Sequence, residues 1–96
     1  MAEITISATD EGCLQVSGEL VFATAPRLLA EGESLFGGHQ DLVIDLGGVK
    51  RCDSAGLALL LEWLERARSR GIAIHYRSIP ESLLRIARLI AGASGS

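Results

Sequence analysis

The sequence predicts an α/β domain: a mixed, four-stranded sheet with packed helices, in the order β-β-α-β-α-β-α. Three observations predict it. Two short alternating runs near the start, separated by turn residues, read as a hairpin. A leucine pattern at helical spacing fills Ser54 to Arg70. Apolar strand-like runs then alternate with helical runs, which requires crossover connections and parallel neighbours.

Glu3 to Ser7 alternates, with Ile4 and Ile6 on one face. Thr9-Asp10-Glu11-Gly12 has turn chemistry, and Cys13 to Ser17 alternates again with Leu14 and Val16 inward. The pair reads as an antiparallel hairpin with a loop longer than two residues, and Gly18 to Ala23 as a connection. Thr24 suits a helix N-cap, and Pro26 falls in the first turn, where a missing N–H costs little. This helix spans 24–35, with Leu28, Leu29 and Leu35 apolar, and Gly37-Gly38 stops it. Asp41 to Leu46 does not alternate around Val43 and Ile44, so it reads as a strand buried on both faces. Gly47 to Cys52 reads as a loop leading to Asp53.

The helix over 54–70 is the strongest pattern. Leu57, Leu60, Leu61, Leu64 and Ala67 follow the i, i+3, i+4, i+7 spacing, which places Leu60 and Leu64 against the sheet. Leu59 and Trp63 fall off that stripe and suit a second contact, inside the fold or with a partner, and Gly71 is a natural stop. Ile72, Ile74 and Tyr76 alternate as a strand. Ser78-Ile79-Pro80-Glu81 fits a capping box for a helix over 80–91, with Leu83, Ile86, Ala87 and Ile90 on its inner face. Residues 1–92 are read as one domain and 93–96 as a flexible tail.

Composition excludes several functions. An apolar fraction of 48% and mean hydropathy of +0.31 support a real core and leave surplus for an apolar docking surface. Only 4% of residues are aromatic and the net charge is −3, which argues against nucleic-acid binding by base stacking or by charge. Arg66, Arg68, Arg70, Arg77, Arg85 and Arg88 all lie in the second half, which permits a local positive face. The chain opens without a signal-peptide pattern, and no apolar run approaches the ~20 residues that span a bilayer, so no direct membrane insertion is expected. Cys13 and Cys52 are not spaced as a metal pair and read as reduced cytosolic thiols.

No cofactor, metal or catalytic residue is expected. Lys50 is the one lysine and completes no P-loop, and no Gly-x-Gly-x-x-Gly is present. His39 and His75 have no ligand cluster beside them. Ser54 lacks the Gly-x-Ser-x-Gly elbow of a hydrolase. Asp45 and Asp53 flank the glycine loop and are better explained as a strand-end acid and a cap than as a carboxylate pair.

The informative stretch is Asp53-Ser54-Ala55-Gly56-Leu57, where a strand and glycine loop lead into a helix. Asp53 or Ser54 there serves as a helix cap. Equally, a helix start with outward N–H groups suits a phosphate or a partner's carboxylate or carbonyl.

The run Asp41-Leu42-Val43-Ile44-Asp45, followed by Asp53-Ser54-Ala55-Gly56-Leu57, resembles the signature of STAS domains, the sulfate-transporter and anti-sigma-factor-antagonist modules. The element order fits that family over nearly the whole chain. Within it, Gly56-Leu57-Ala58-Leu59-Leu60-Leu61, with Gly18-Glu19-Leu20 upstream, is similar to the small STAS subunits of bacterial phospholipid ABC transporters that maintain outer-membrane lipid asymmetry. That resemblance implies a non-catalytic, cytoplasmic subunit held peripherally at the inner membrane. It would dock on the transporter's ATPase subunit, within a complex containing permease and lipid-binding subunits. It further implies partner-binding roles for Arg51, Asp53, Ser54, Ala55, Gly56 and Leu57. Many such subunits carry Thr where this chain has Ser54. Ser54 also matches the residue phosphorylated in anti-sigma-factor antagonists, which implies the alternative of a switch controlled at that hydroxyl.

Overall fold

The structure, a computed structural model, describes residues 2–10 and 12–95. The element order is β1 (Ile4–Asp10), β2 (Cys13–Leu20), α1 (Ala25–Ser34), β3 (Asp41–Cys52), α2 (Ser54–Ser69), β4 (Ala73–Arg77) and α3 (Glu81–Gly95). The strands form one sheet in the order β1-β2-β3-β4. β1 runs antiparallel to β2, and β2–β3 and β3–β4 are parallel. This is the mixed α/β architecture the element pattern requires.

The hairpin is tighter than expected. Asp10 pairs with Cys13, so only residues 11 and 12 separate the strands, and the register shifts between Ala8 and Asp10. Thr9 and Asp10 extend β1 instead of turning, while Gly12 takes the positive φ (77°) that the connection requires. The turn reading also included Glu11, which lies outside the described residues.

The sheet is buried on one face only. Leu14, Val16, Leu42, Ile44 and Leu46 join the core with Leu28, Phe36 and Trp63. The opposite face carries Gln15, Asp41, Asp45, His75 and Arg77 and stays accessible. β3 is therefore not buried on both sides as the sequence suggested: its residues alternate from Asp41 to Leu46. Val43 hid the alternation, because it is an apolar residue on the outer face. On that face Arg77 holds Asp45 at 3.1 Å across the β3–β4 register. The backbone N–H of Gly47 and the Arg77 guanidinium together hold the Asp45 carboxyl below its ordinary range.

β3 also continues through the stretch read as a loop, pairing Ser17 with Gly48 and Leu20 with Cys52. Register shifts after Gln15 and after Gly18 absorb the extra residues, and they let the strand deliver Asp53 directly to the helix.

α2 is rotated from its predicted phase. Gly56, Leu59, Leu60, Trp63 and Ala67 are buried, whereas Leu61 is 57% exposed and Leu64 37%. Leu60 faces the core as expected; Leu64 does not. Two helices flank α2's contact with the sheet, and α1 demands Trp63. The indole sits against Gly32, where an added Cβ would lie 2.6 Å from Trp63 Cε2, and its N–H donates to the Leu29 carbonyl (3.2 Å). Downstream, the Ile72 N–H reaches the Ala67 carbonyl and the Gly71 N–H reaches that of Arg68, with Gly71 at φ 74°. This Schellman pattern confirms the helix stop.

α3 starts at Glu81, with the Pro80 carbonyl accepting from Leu83 and Leu84. The expected capping box does not form, because Ser78 lies too far from the helix and takes a left-handed φ of 59°. The helix is assigned through Gly95, beyond the expected stop at Gly92. The expected inward contact of Ile90 and the end of the proposed tail, Ser96, lie outside the described side chains and residues.

Candidate functional site

Asp53 is the N-cap of α2. Its extended backbone (φ −133°, ψ −169°) aims the carboxylate back at the helix, where Oδ1 accepts from the N–H groups of Ala55 (2.9 Å) and Gly56 (3.3 Å). The Asp53 carbonyl takes the Gly56 and Leu57 N–H groups in turn. Its other oxygen, Oδ2, accepts from the N–H of Phe22 (3.1 Å), in the turn between β2 and α1. One carboxylate thus ties two segments far apart in sequence into a single corner.

Ser54 is the first helical residue, not the cap, and it is exposed. Asp53 already satisfies most of the first-turn donors, so the outward N–H groups expected from the sequence reduce to little more than that of Ser54. A phosphate on Ser54 would add negative charge one residue from the Asp53 carboxylate.

Gly56 is buried and serves packing. An added Cβ there would come within 2.6 Å of the Leu20 carbonyl, so only glycine lets the first turn of α2 cross the end of β2. Leu57 is half-buried against the core, and Ala55 is half-buried between α1 and α2. Arg51 is exposed and reaches Glu19 at 3.5 Å. Of the six residues singled out in the sequence, Arg51 and Ser54 therefore present their side chains most openly. Cys52, just before the cap, lies 2.9 Å from Ser82 Oγ in the first turn of α3.

Two features escaped the sequence reading. Phe22 is 80% exposed, the most exposed large apolar side chain among the described residues. Beside the corner, a groove of about 310 Å³ runs between α1 and α2, lined by Ala25, Pro26, Leu29, Ala55, Ala58, Leu59 and Glu62. Residues at small-residue positions on both helices leave it open. Phe22 lay in a stretch read only as a connection, and no periodicity marks an exposed loop aromatic.

Among the described residues no cluster could hold a metal ion, and no helix is long and apolar enough to cross a membrane. A family model for the MlaB STAS domain matches residues 4–92. No curated protein matches the chain. Among solved structures, the unphosphorylated anti-sigma factor antagonist SpoIIAA is similar in fold: TM-score 0.67, 12% identity, covering 91% of this chain and 83% of that one. A crystal structure of Mglu also matches, with TM-score 0.60 and 22% identity over 80% of this chain. The chain spans about a fifth (19%) of Mglu's length, so that likeness concerns one portion of a larger protein.

Proposed function

This chain belongs to the MlaB STAS-domain family, and from that premise we propose that it is a non-catalytic accessory subunit of a bacterial phospholipid ABC transporter. It binds the transporter's ATPase subunit and supports its assembly and activity, within a complex that also holds permease and lipid-binding subunits. It works in the cytoplasm, peripheral to the inner membrane. The observation that carries this reading is the rigid corner at the start of α2. Asp53 consumes the helix-start donors internally and leaves Ser54 at the surface as a small, uncharged contact. Such a surface serves close packing against another protein.

Ser54→Arg tests the site. The variant should fold normally, because position 54 is exposed, yet fail to co-purify with the ATPase because of its bulk and charge. Undiminished co-purification would remove the docking role from this corner.

The exposed Ser54 hydroxyl supports a second reading, an anti-sigma-factor antagonist switched by phosphorylation at that residue. Phosphate would add about −1.5 to −2 charge next to the Asp53 carboxylate. Intact-mass spectrometry of protein from growing cells separates the two. We expect no phosphorylated fraction; a substantial one mapped to Ser54 would transfer the assignment to the switch.

A further inference from the structure

We propose that the open edge of β1 pairs antiparallel with β1 of a second copy of this chain, around a twofold axis at Ser7. The hairpin register shows which backbone groups are free to do so. The Glu19 N–H donates to the Glu3 carbonyl (2.7 Å), and Thr5 and Ser7 follow on the same side, opposite Ser17 and Gln15. Bonded and non-bonded pairs alternate along an antiparallel ladder, so Ile4, Ile6 and Ala8 turn their N–H and C=O groups away from the sheet. The Ile4 carbonyl bears this out, because the Arg27 guanidinium on α1 donates to it at 2.6 Å. β1 is the end strand of the sheet, and among the described residues nothing bonds the outward groups of Ile6 and Ala8. From Ile4 to Thr9 the strand carries no charge and no proline, two devices that commonly guard an edge. β4, at the other edge, is shorter and carries His75 and Arg77.

The occupant follows from register and charge. Arg27 stands beside Ile4, with Glu31 of its own helix at 3.4 Å as its other partner. In the hollow at this end of the strand Arg27 and Lys50 outnumber Glu3. The one acid of β1, Asp10, lies at the opposite end. Antiparallel pairing around Ser7 sets Asp10 of the second copy opposite Ile4 and so toward Arg27, and symmetry repeats the contact. Between these ends Ile6 faces Ala8 of the second copy, and each such pair exchanges both backbone bonds. Thr5 meets Thr9 and Ser7 meets Ser7 on the outer face, the hydroxyl pairs that cross-strand packing favours. On the core face the half-buried Ile6 and the exposed Ala8 gain apolar cover. The register shift between Ala8 and Asp10 confines the new ladder to Ile6 and Ala8. The contact is therefore smaller than the ~1,200 Å² of stable complexes, and the pairing is reversible.

The pairing does not depend on the docking function, so the full chain alone suffices for the test. Sedimentation velocity at rising concentration compares wild type with Ala8→Pro and Asp10→Arg, each checked for native circular dichroism. Proline at position 8 removes an outward donor and leaves in place the β1–β2 bonds, which come from Thr5 and Ser7. The expected result is a reversible dimer whose association weakens about tenfold or more in Ala8→Pro, through two symmetry-related bonds lost. Asp10→Arg and added salt should also weaken it, since both act on the Asp10–Arg27 contact. In a background of Cys13→Ser and Cys52→Ser, Ser7→Cys treated with oxidised glutathione should give a disulfide-linked dimer. A non-bonded antiparallel pair on the axis brings its two α-carbons within disulfide range. Thr5→Cys and Thr9→Cys should each link poorly alone and efficiently when mixed. Wild type that stays monomeric at every concentration, or a dimer that a folded Ala8→Pro leaves intact, would overturn the proposal. Linking of Ser7→Cys no faster than that of Thr5→Cys alone would overturn it too, and decides the matter if Ala8→Pro does not fold.

Discussion

The two ends of the α1–α2 pair both carry small residues and pack differently. At one end Trp63 fills the space left by Gly32, and Arg66 and Arg70 both grip Glu33, Arg70 at 2.8 Å. At the other, Ala25, Ala55 and Ala58 face one another across an open groove and Phe22 projects into solvent. Small residues occur at both ends. At the first, the missing side chain of Gly32 is matched by the Trp63 indole from across the interface, with a surface hollow left outside it beside Glu33, Arg66 and Arg70; at the second, the alanines leave a groove between the helices. The same composition therefore stabilises the fold in one place and leaves a groove open in the other.

The largest expected effect lies at the closed end. Trp63→Ala removes a fully buried indole and should cost about 3–5 kcal/mol in urea denaturation. A cost below 1 kcal/mol would mean that the two ends are equally loose. Gly32→Val probes the same contact from the other side. Overpacking against the indole should cost roughly 1–3 kcal/mol, whereas Ala58→Val, on the open groove, should leave the denaturation midpoint nearly unchanged. Equal losses from these two variants would erase the distinction.

Next comes the corner that holds the open end in shape. Asp53→Ala removes the cap and should cost about 0.5–2 kcal/mol. It also frees Phe22, so amide exchange at residue 22 should accelerate by more than the global destabilisation accounts for. Exchange that rises only in step with global stability would show that the carboxylate does not fix this turn. Ser54→Ala should change stability by less than about 0.5 kcal/mol, because the side chain is exposed and caps nothing.

The smallest effect is on the bare sheet face, away from both ends. The folded-state pKa of Asp45 is depressed by the Gly47 N–H and Arg77, so its contribution is present above the unfolded value of about 3.9 and is lost as pH falls through the folded value. Asp45→Asn should therefore lose less stability than wild type on acidification below about pH 4. Parallel acid limbs in thermal melts of the two proteins would discount the pair.

The element order and the cap were legible because they rest on local chemistry: alternation in Cys13–Ser17, the Asp-Ser pair before a leucine run, and Gly71 after it. The face of α2 was not. Counting leucines placed Leu61 and Leu64 inward and gave Leu59 and Trp63 only a second contact, yet burial follows what each neighbour accepts, and α1 offers the indole both a glycine and a carbonyl. Gly56 carries no weight in a hydrophobic count, although it is buried and sets how α2 meets β2. The continuation of β3 through Gly47-Gly48 was hidden because two glycines in sequence read as a break, when here they accommodate register shifts. At the site, the motif located the corner, but the partition of its donors and the exposure of Phe22 depend on a bond across the fold.

The parallel pairing of the sheet also sets how much chain must be closed to build it. Cys13 meets Val43 and Asp41 meets Ala73, so each parallel ladder closes over some thirty residues, whereas the β1–β2 hairpin is local. Hairpins form within about 1–10 μs, but long-range ladders carry loop-closure entropy before any contact repays it. The Asp53–Phe22 bond bridges the β2–α1 turn and the end of β3, directly after the Leu20–Cys52 pair that ends the first parallel ladder. The surface at the start of α2 thus depends on the long-range pairing of β2 with β3 for its shape.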